Sequence, residues 1–307
     1  MTRGRRPRMH PRNPVTDTLV FSHANGFPLP VYRRMLESLR PDFDSAGVLR
    51  FGHDPSRPVT VGWPYLVDEL VEFVNALPDR GGPLWLVGHS LGGYLSVLAA
   101  ERLHPRVAGI VLLDSPVIAG VSAAMVRFGR ATGLDRLVMP LRQTLQRRKH
   151  WPDVDAVHAH YAAKTMFARW DPRMLRDYAE HCTISDGRGQ RELLFDREIE
   201  YRIYRSLPTA RVADTGAKLR VPVAFIGGRR SREVRHVGLG ATRALVGPRL
   251  YWTGGSHLFP METPDETARL IRDAIDAMRD HADRPAETAP RGDIAPRHPA
   301  DRMRETA

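Results

Sequence analysis

Short apolar runs alternate along the chain with longer stretches in which apolar residues return every three or four positions. Six runs, at residues 17–22, 46–51, 84–88, 108–114, 221–227 and 249–253, have the length and continuous apolarity of strands buried on both faces. Between them, Leu66, Leu70, Phe73/Val74 and Leu77 recur at helical spacing, with Asp68, Glu69 and Glu72 opposite. Residues 91–103 predict a second helix stopped by Pro105. Residues 263–279 predict a third, with Pro264 in its first turn and Asp265 and Glu266 placed to favour the positive helix N-terminus. Alternation of this kind predicts an α/β fold, a mostly parallel sheet of about six strands flanked by helices.

The alternation breaks over residues 115–220. That stretch has no clear strand, helical periodicity near 123–132, 154–169 and 172–181, and many aromatic residues. It reads as a helical cap insertion that leaves one strand and returns before the next, so the core comprises residues 15–114 and 221–280. Residues 1–14 and 281–307 are rich in Pro, Arg, Asp and Ala without periodicity and are expected to be disordered tails.

Composition changes this picture little. One cysteine, Cys182, excludes an internal disulfide and a Cys-rich zinc site. No apolar run has the roughly 20 residues of a membrane helix, and the N-terminus lacks the apolar stretch of a secretory signal. A cytoplasmic protein without membrane attachment is expected. The net charge of +11 raises nucleic-acid binding, but its distribution argues against it. Five arginines lie in residues 1–14, residues 15–114 are net −3 and residues 115–220 are net +7. No recognition helix or stacking surface accompanies them, and no nucleic-acid partner is expected.

The candidate chemistry begins at Gly88-His89-Ser90-Leu91-Gly92, between an apolar strand and a helix. A serine flanked by glycines suits a sharp strand-to-helix turn that presents its hydroxyl above the sheet at the positive end of the helix. Such a hydroxyl needs a base. His257, in Gly254-Gly255-Ser256-His257 after the last strand, is the best placed. His89 belongs to the turn and is expected to pack beneath it. His158 and His160 are two apart on a helix, so they point apart and make a poor metal pair. An acyl-transfer site also needs two N–H donors for the oxyanion. Leu91 supplies one, and Asn25 or Phe27, in the loop His23-Ala24-Asn25-Gly26-Phe27-Pro28, the other.

The order HANGFP, GHSLGG and SHLFP before a terminal helix resembles the α/β-hydrolase superfamily over residues 17–280. The resemblance implies a serine nucleophile at Ser90, a general base at His257 and hydrolysis of an ester or related acyl bond. It implies a small-molecule acyl substrate and no metal or organic cofactor, and it leaves the oligomeric state open. Two departures stand out. The two leading strands common in the family are not expected ahead of residue 17, and Ser231 stands where an aspartate is expected. The acid must come from elsewhere. Asp114, ending the strand after the nucleophile helix, is one candidate; Glu233, two residues beyond Ser231, is the other. A non-catalytic binding protein on the same fold is the alternative reading. Met125, Met139, Met166, Phe167 and Trp170 are expected mainly to form the core of the insertion. Arg127, Arg130, Arg169 and Arg173 are candidate contacts for a substrate anion.

Overall fold

The structure, a computed structural model, describes residues 16–120, 124 and 141–282. The expected tails, the helix near 123–132, and Met125, Met139, Arg127 and Arg130 lie outside the described residues. Among the described residues the strands are β1 (Asp17–Ser22), β2 (Phe43–Ala46), β3 (Leu84–His89), β4 (Val107–Leu113), β5 (His150–Trp151), β6 (Thr183–Ser185), β7 (Arg191–Leu193), β8 (Val223–Gly228) and β9 (Leu250–Thr253). Six of them form one sheet in the order β2-β1-β3-β4-β8-β9, every adjacent pair parallel.

Side chains alternate across this sheet with the strand period of two. Leu19, Phe21, Trp85, Val87, Val111, Leu113, Ala224 and Ile226 face one layer, which contains Ile271, Ala274 and Ile275 of the helix Pro264–Ala282. Val20, Leu84, Leu86, Ile110, Leu112, Val223 and Phe225 face the other. There they meet Leu66, Leu70 and Val74 of the helix Pro64–Ala76 and Leu95 and Leu98 of the helix Leu91–Ala100. Both faces are covered, which is why these strands read as continuous apolar runs.

The chain passes from β1 to β2 on one side and then to β3 on the other. Loops leaving β1 and β3 therefore diverge and open a crevice at the carboxyl ends of the strands.

Two expectations need correction. The second strand is Phe43–Ala46 rather than residues 46–51. Gly47 lies so close to β1 that a Cβ there would stand 2.2 Å from the Phe21 carbonyl oxygen, and the chain leaves the sheet at that point. Phe51 is buried under the helical layer instead, its N–H donating to His23 Nε2 (3.0 Å). The apolar run reflected packing, not pairing. Between β4 and β8 the chain is not purely helical either, because β5, β7 and β6 form an antiparallel sheet. Strands of two or three residues are too short to show a period.

The helix Pro172–His181 matches its prediction, with Asp171 capping the Arg173 N–H (2.8 Å). The segment expected to be helical over 154–169 stops at Ala162 and continues as a short turn, Thr165–Phe167. Three further helices, Leu141–Leu145, Arg197–Arg205 and Thr209–Gly216, were not among those expected from the sequence. No helix among the described residues is long and apolar enough to cross a membrane.

Candidate active site

Ser90 joins β3 to the helix Leu91–Ala100 with φ 53° and ψ −112°, a strained conformation for a residue bearing a Cβ. The flanking glycines make the turn possible. A Cβ on Gly88 would lie 2.2 Å from the Gly92 backbone, and one on Gly92 would lie 1.9 Å from the Ser22 carbonyl oxygen. Helix, turn and β1 thus pack backbone to backbone. The Ser90 N–H donates to the Leu113 carbonyl (3.0 Å), and Ser115 Oγ donates to the Ser90 carbonyl (3.0 Å), tying the turn to the end of β4.

His257 follows β9 and reaches back over the sheet. Its Nε2 lies 3.2 Å from Ser90 Oγ, and its Nδ1 lies 2.7 Å from Asp114 Oδ2. Asp114 stands at the end of β4 with φ 44° and a fully buried carboxylate. Three donors converge on that carboxylate: the Gly228 N–H (2.8 Å), Ser231 Oγ (2.5 Å) and His257 Nδ1. Because the carboxylate can only accept, the His257 proton sits on Nδ1, leaving Nε2 free to accept from Ser90. Glu233 is 48% exposed and 3.8 Å from the same nitrogen. Of the two candidate acids, the structure puts Asp114 in hydrogen-bonding contact and Glu233 outside it. Ser231 spans the difference, donating to Asp114 and accepting from the Val234 N–H (3.1 Å) as helix cap.

Burial pulls the His257 pKa down, but the hydrogen bond and charge of Asp114, with the charge of Glu233, outweigh it and leave the pKa above its ordinary value. His89 is buried beneath the turn. Its Nε2 donates to the His257 carbonyl (2.9 Å), so its Nδ1 accepts from the Tyr32 hydroxyl (2.8 Å). Tyr32 in turn accepts from the Ala24 N–H (3.2 Å). This relay links the loop after β1, the serine turn and the histidine loop. Burial, with the His257 charge adding to it, pushes the His89 pKa down to about 3.

Among the described residues, neither the Leu91 N–H nor the Asn25 N–H has a protein acceptor. The Phe27 N–H donates to the Ala24 carbonyl in a turn (3.1 Å). Asn25 is therefore the member of the pair with a free amide. Its side-chain Nδ2 is engaged by the Glu200 carbonyl (3.0 Å).

Phe167 and Trp170 are buried in an aromatic cluster with Phe27, Tyr161 and Tyr178, whereas Met166 is 61% exposed and belongs to no core. Arg173 pairs with Asp171 and Asp265, and Arg169 lies at the surface. The arginine that reaches the loop after β1 is Arg147, bonded to Glu200. Neither was singled out from sequence. Arg147 opens the run Arg147-Arg148-Lys149 and Glu200 sits in a charged helix, patterns that read as solvated surface. His160 packs on Trp151 and Tyr161 instead of converging with His158.

A parallel α/β sheet with a strained serine turn, a histidine after the last strand and an acid at a strand end defines the class of α/β-fold hydrolases. Residues 19–270 match the alpha/beta hydrolase family, and the chain belongs to it. No curated protein matches the chain. Among solved structures, an E-2-(acetamidomethylene)succinate hydrolase is 22% identical, with a TM-score of 0.64 over 85% of this chain and 91% of its own. A thioesterase domain from the curacin biosynthetic pathway is 17% identical, with a TM-score of 0.64 over 85% and 92%. An esterase of M. tuberculosis is 18% identical, with a TM-score of 0.64 over 85% and 86%. These likenesses establish the shared fold.

Proposed function

We propose that the protein is a serine hydrolase that cleaves an ester or related acyl bond through an acyl-enzyme on Ser90. The observation that carries this reading is the unbroken chain Ser90 Oγ–His257–Asp114, at 3.2 and 2.7 Å. His257 Nε2 takes the Ser90 proton as Oγ attacks the carbonyl carbon, and the Leu91 and Asn25 N–H groups receive the oxyanion. Asp114 fixes the imidazole tautomer and stabilises the imidazolium. His257 then protonates the leaving group. In the second half-reaction it deprotonates a water, which attacks the acyl carbon and frees Ser90.

A small-molecule carboxylic ester is the central substrate class; a thioester, a lactone or a carbon–carbon bond adjacent to a carbonyl suits the same apparatus. The segment between β4 and β8 acts as the cap, with Phe27, Trp170 and Tyr178 packed together where it meets the loop after β1. The contact between His257 and Asp114 favours catalysis over a binding protein that merely retains the fold. A fluorophosphonate serine probe, followed by mass mapping, tests this. Labelling at Ser90 that is lost in His257→Ala is expected; native protein that neither labels nor cleaves any simple acyl ester would overturn it.

A further inference from the structure

A buried ion pair presses on the loop that follows β1. Arg147 donates from Nη1 to the Glu200 carboxylate, and its Nη2 donates to the hydroxyls of Tyr178 (2.9 Å) and Tyr161 (3.4 Å). Only 14% of the Arg147 side chain and 8% of Glu200 remain exposed. Three consecutive loop residues touch this assembly. Asn25 Nδ2 donates to the Glu200 carbonyl (3.0 Å). Gly26, at φ 80°, is so close that a Cβ would stand 2.8 Å from Glu200 Oε1 and 3.1 Å from Arg147 Nη1. Phe27 packs against Tyr178 at a tilt, with ring centroids 5.6 Å apart. Desolvation offsets most of the attraction in a buried ion pair, so stability alone is a weak reason for one here.

We propose that the Arg147–Glu200 pair is a positioning device for the oxyanion hole. It forms the outer wall of the loop 25–27, keeps the Asn25 N–H aligned with that of Leu91, and makes this alignment depend on the seating of Tyr161 and Tyr178. Neither side chain touches the reacting atoms. The inference rests on the serine-hydrolase reading, and it ties the geometry of the hole to the inserted segment: a substrate that shifts the segment shifts the hole.

The test compares wild type, Glu200→Gln and the double variant Arg147→Met with Glu200→Met. Removing one partner strands a buried charge, whereas replacing both by apolar side chains is often tolerated. Glu200→Gln retains an acceptor for Arg147 and decides the matter if the double variant does not fold. Each protein is assayed for kcat and KM on a p-nitrophenyl ester, for amide hydrogen exchange at residues 24–27, and for thermal midpoint.

The folded double variant is expected to lose about 10- to 100-fold in kcat, the scale of a misplaced reacting group, with KM changed less than about twofold. Its loop amides exchange faster while those of β1 do not, and Glu200→Gln loses less. A folded double variant with wild-type kcat and wild-type exchange at 24–27 overturns the proposal, as does Glu200→Gln indistinguishable from wild type when the double variant does not fold. Wild type that neither turns over ester nor labels at Ser90 defeats the serine-hydrolase reading instead. Exchange at 24–27 then still shows whether the pair holds the loop.

Discussion

Replacing Asp114 by Asn keeps the shape of the side chain and removes what the site needs from it. The carboxylate accepts from the Gly228 N–H, Ser231 Oγ and His257 Nδ1. An amide has one accepting oxygen for these three donors. With that oxygen on Gly228, the NH2 group faces His257 Nδ1 and forces the proton onto Nε2, where it points at Ser90 and blocks the base. Loss of the tautomer together with the countercharge is expected to lower kcat by about 10³- to 10⁴-fold, roughly 4–5.5 kcal/mol of barrier. Glu233 makes the contrast. At 3.8 Å from His257 and 48% exposed, its charge is screened to about 1 kcal/mol, so Glu233→Gln should stay within about fivefold of wild type. The assay is kcat/KM on an activated ester as a function of pH. Activity requires neutral His257, so in wild type it rises with pH through a pKa held above the ordinary histidine value. Asp114→Asn moves that limb to lower pH. Glu233→Gln losing as much as Asp114→Asn, or Asp114→Asn retaining wild-type turnover, would refute the assignment of the acid.

Three further outcomes follow from buried groups. Tyr32→Phe strands the Ala24 N–H and His89 Nδ1 and should cost about 2–3 kcal/mol of stability; an unchanged chemical-denaturation midpoint would contradict the relay. His23 and His89 are buried and neutral, their pKa values pushed down to about 4 and about 3 chiefly by desolvation. Above pH 6.5 both states are neutral and this contribution is complete. Below it the unfolded chain binds protons first, so roughly a few kcal/mol per histidine is lost between pH 6.5 and about 4 for His23 and about 3 for His89, and a thermal midpoint flat across that window would count against it. Gly92→Ala places a methyl group 1.9 Å from the Ser22 carbonyl and should prevent the serine turn from closing, read as lost folding or lost probe labelling.

What could be read in advance depended on how far apart the cooperating residues lie. The serine turn is local: strand, Gly-x-Ser-x-Gly and helix adjoin in the chain, and the steric demands on Gly88 and Gly92 are written into five residues. The main sheet was equally legible, because strands buried on both faces are apolar throughout. Residues 46–51 misled because Phe51 is buried by packing on a helix while Gly47 turns the chain out of the sheet. The acid was not decidable from spacing. Asp114 and Ser231 are 117 residues apart, and only the pairing of β4 with β8 brings them within 2.5 Å. Arg147 and Glu200 carry no local mark at all, since in both stretches burial is imposed by elements distant in the chain.

The exchange of roles at the ends of β4 and β8 can itself be put to the test. Ser231 stands at the strand end where the resemblance led to an aspartate, and its Oγ is bonded to the carboxylate that contacts His257. An aspartate at 231 would extend one atom further from Cα, and it also retains the helix cap on Val234, because Asp caps as well as Ser does. In the Ser231→Asp single variant two carboxylates meet in one buried site. They must share a proton, and activity should fall. In the double variant Asp114→Asn with Ser231→Asp the new carboxylate faces a neutral amide and restores a negative charge beside His257 Nδ1. Recovery of about 10- to 100-fold in kcat over Asp114→Asn alone is expected, a part of the roughly 10³- to 10⁴-fold loss. The limb of the pH profile should move back up with it. If the double variant is no faster than Asp114→Asn, the two strand ends are not equivalent platforms for the acid, and the charge at 114 acts through its bonds to Gly228 and Ser231 as much as through its position.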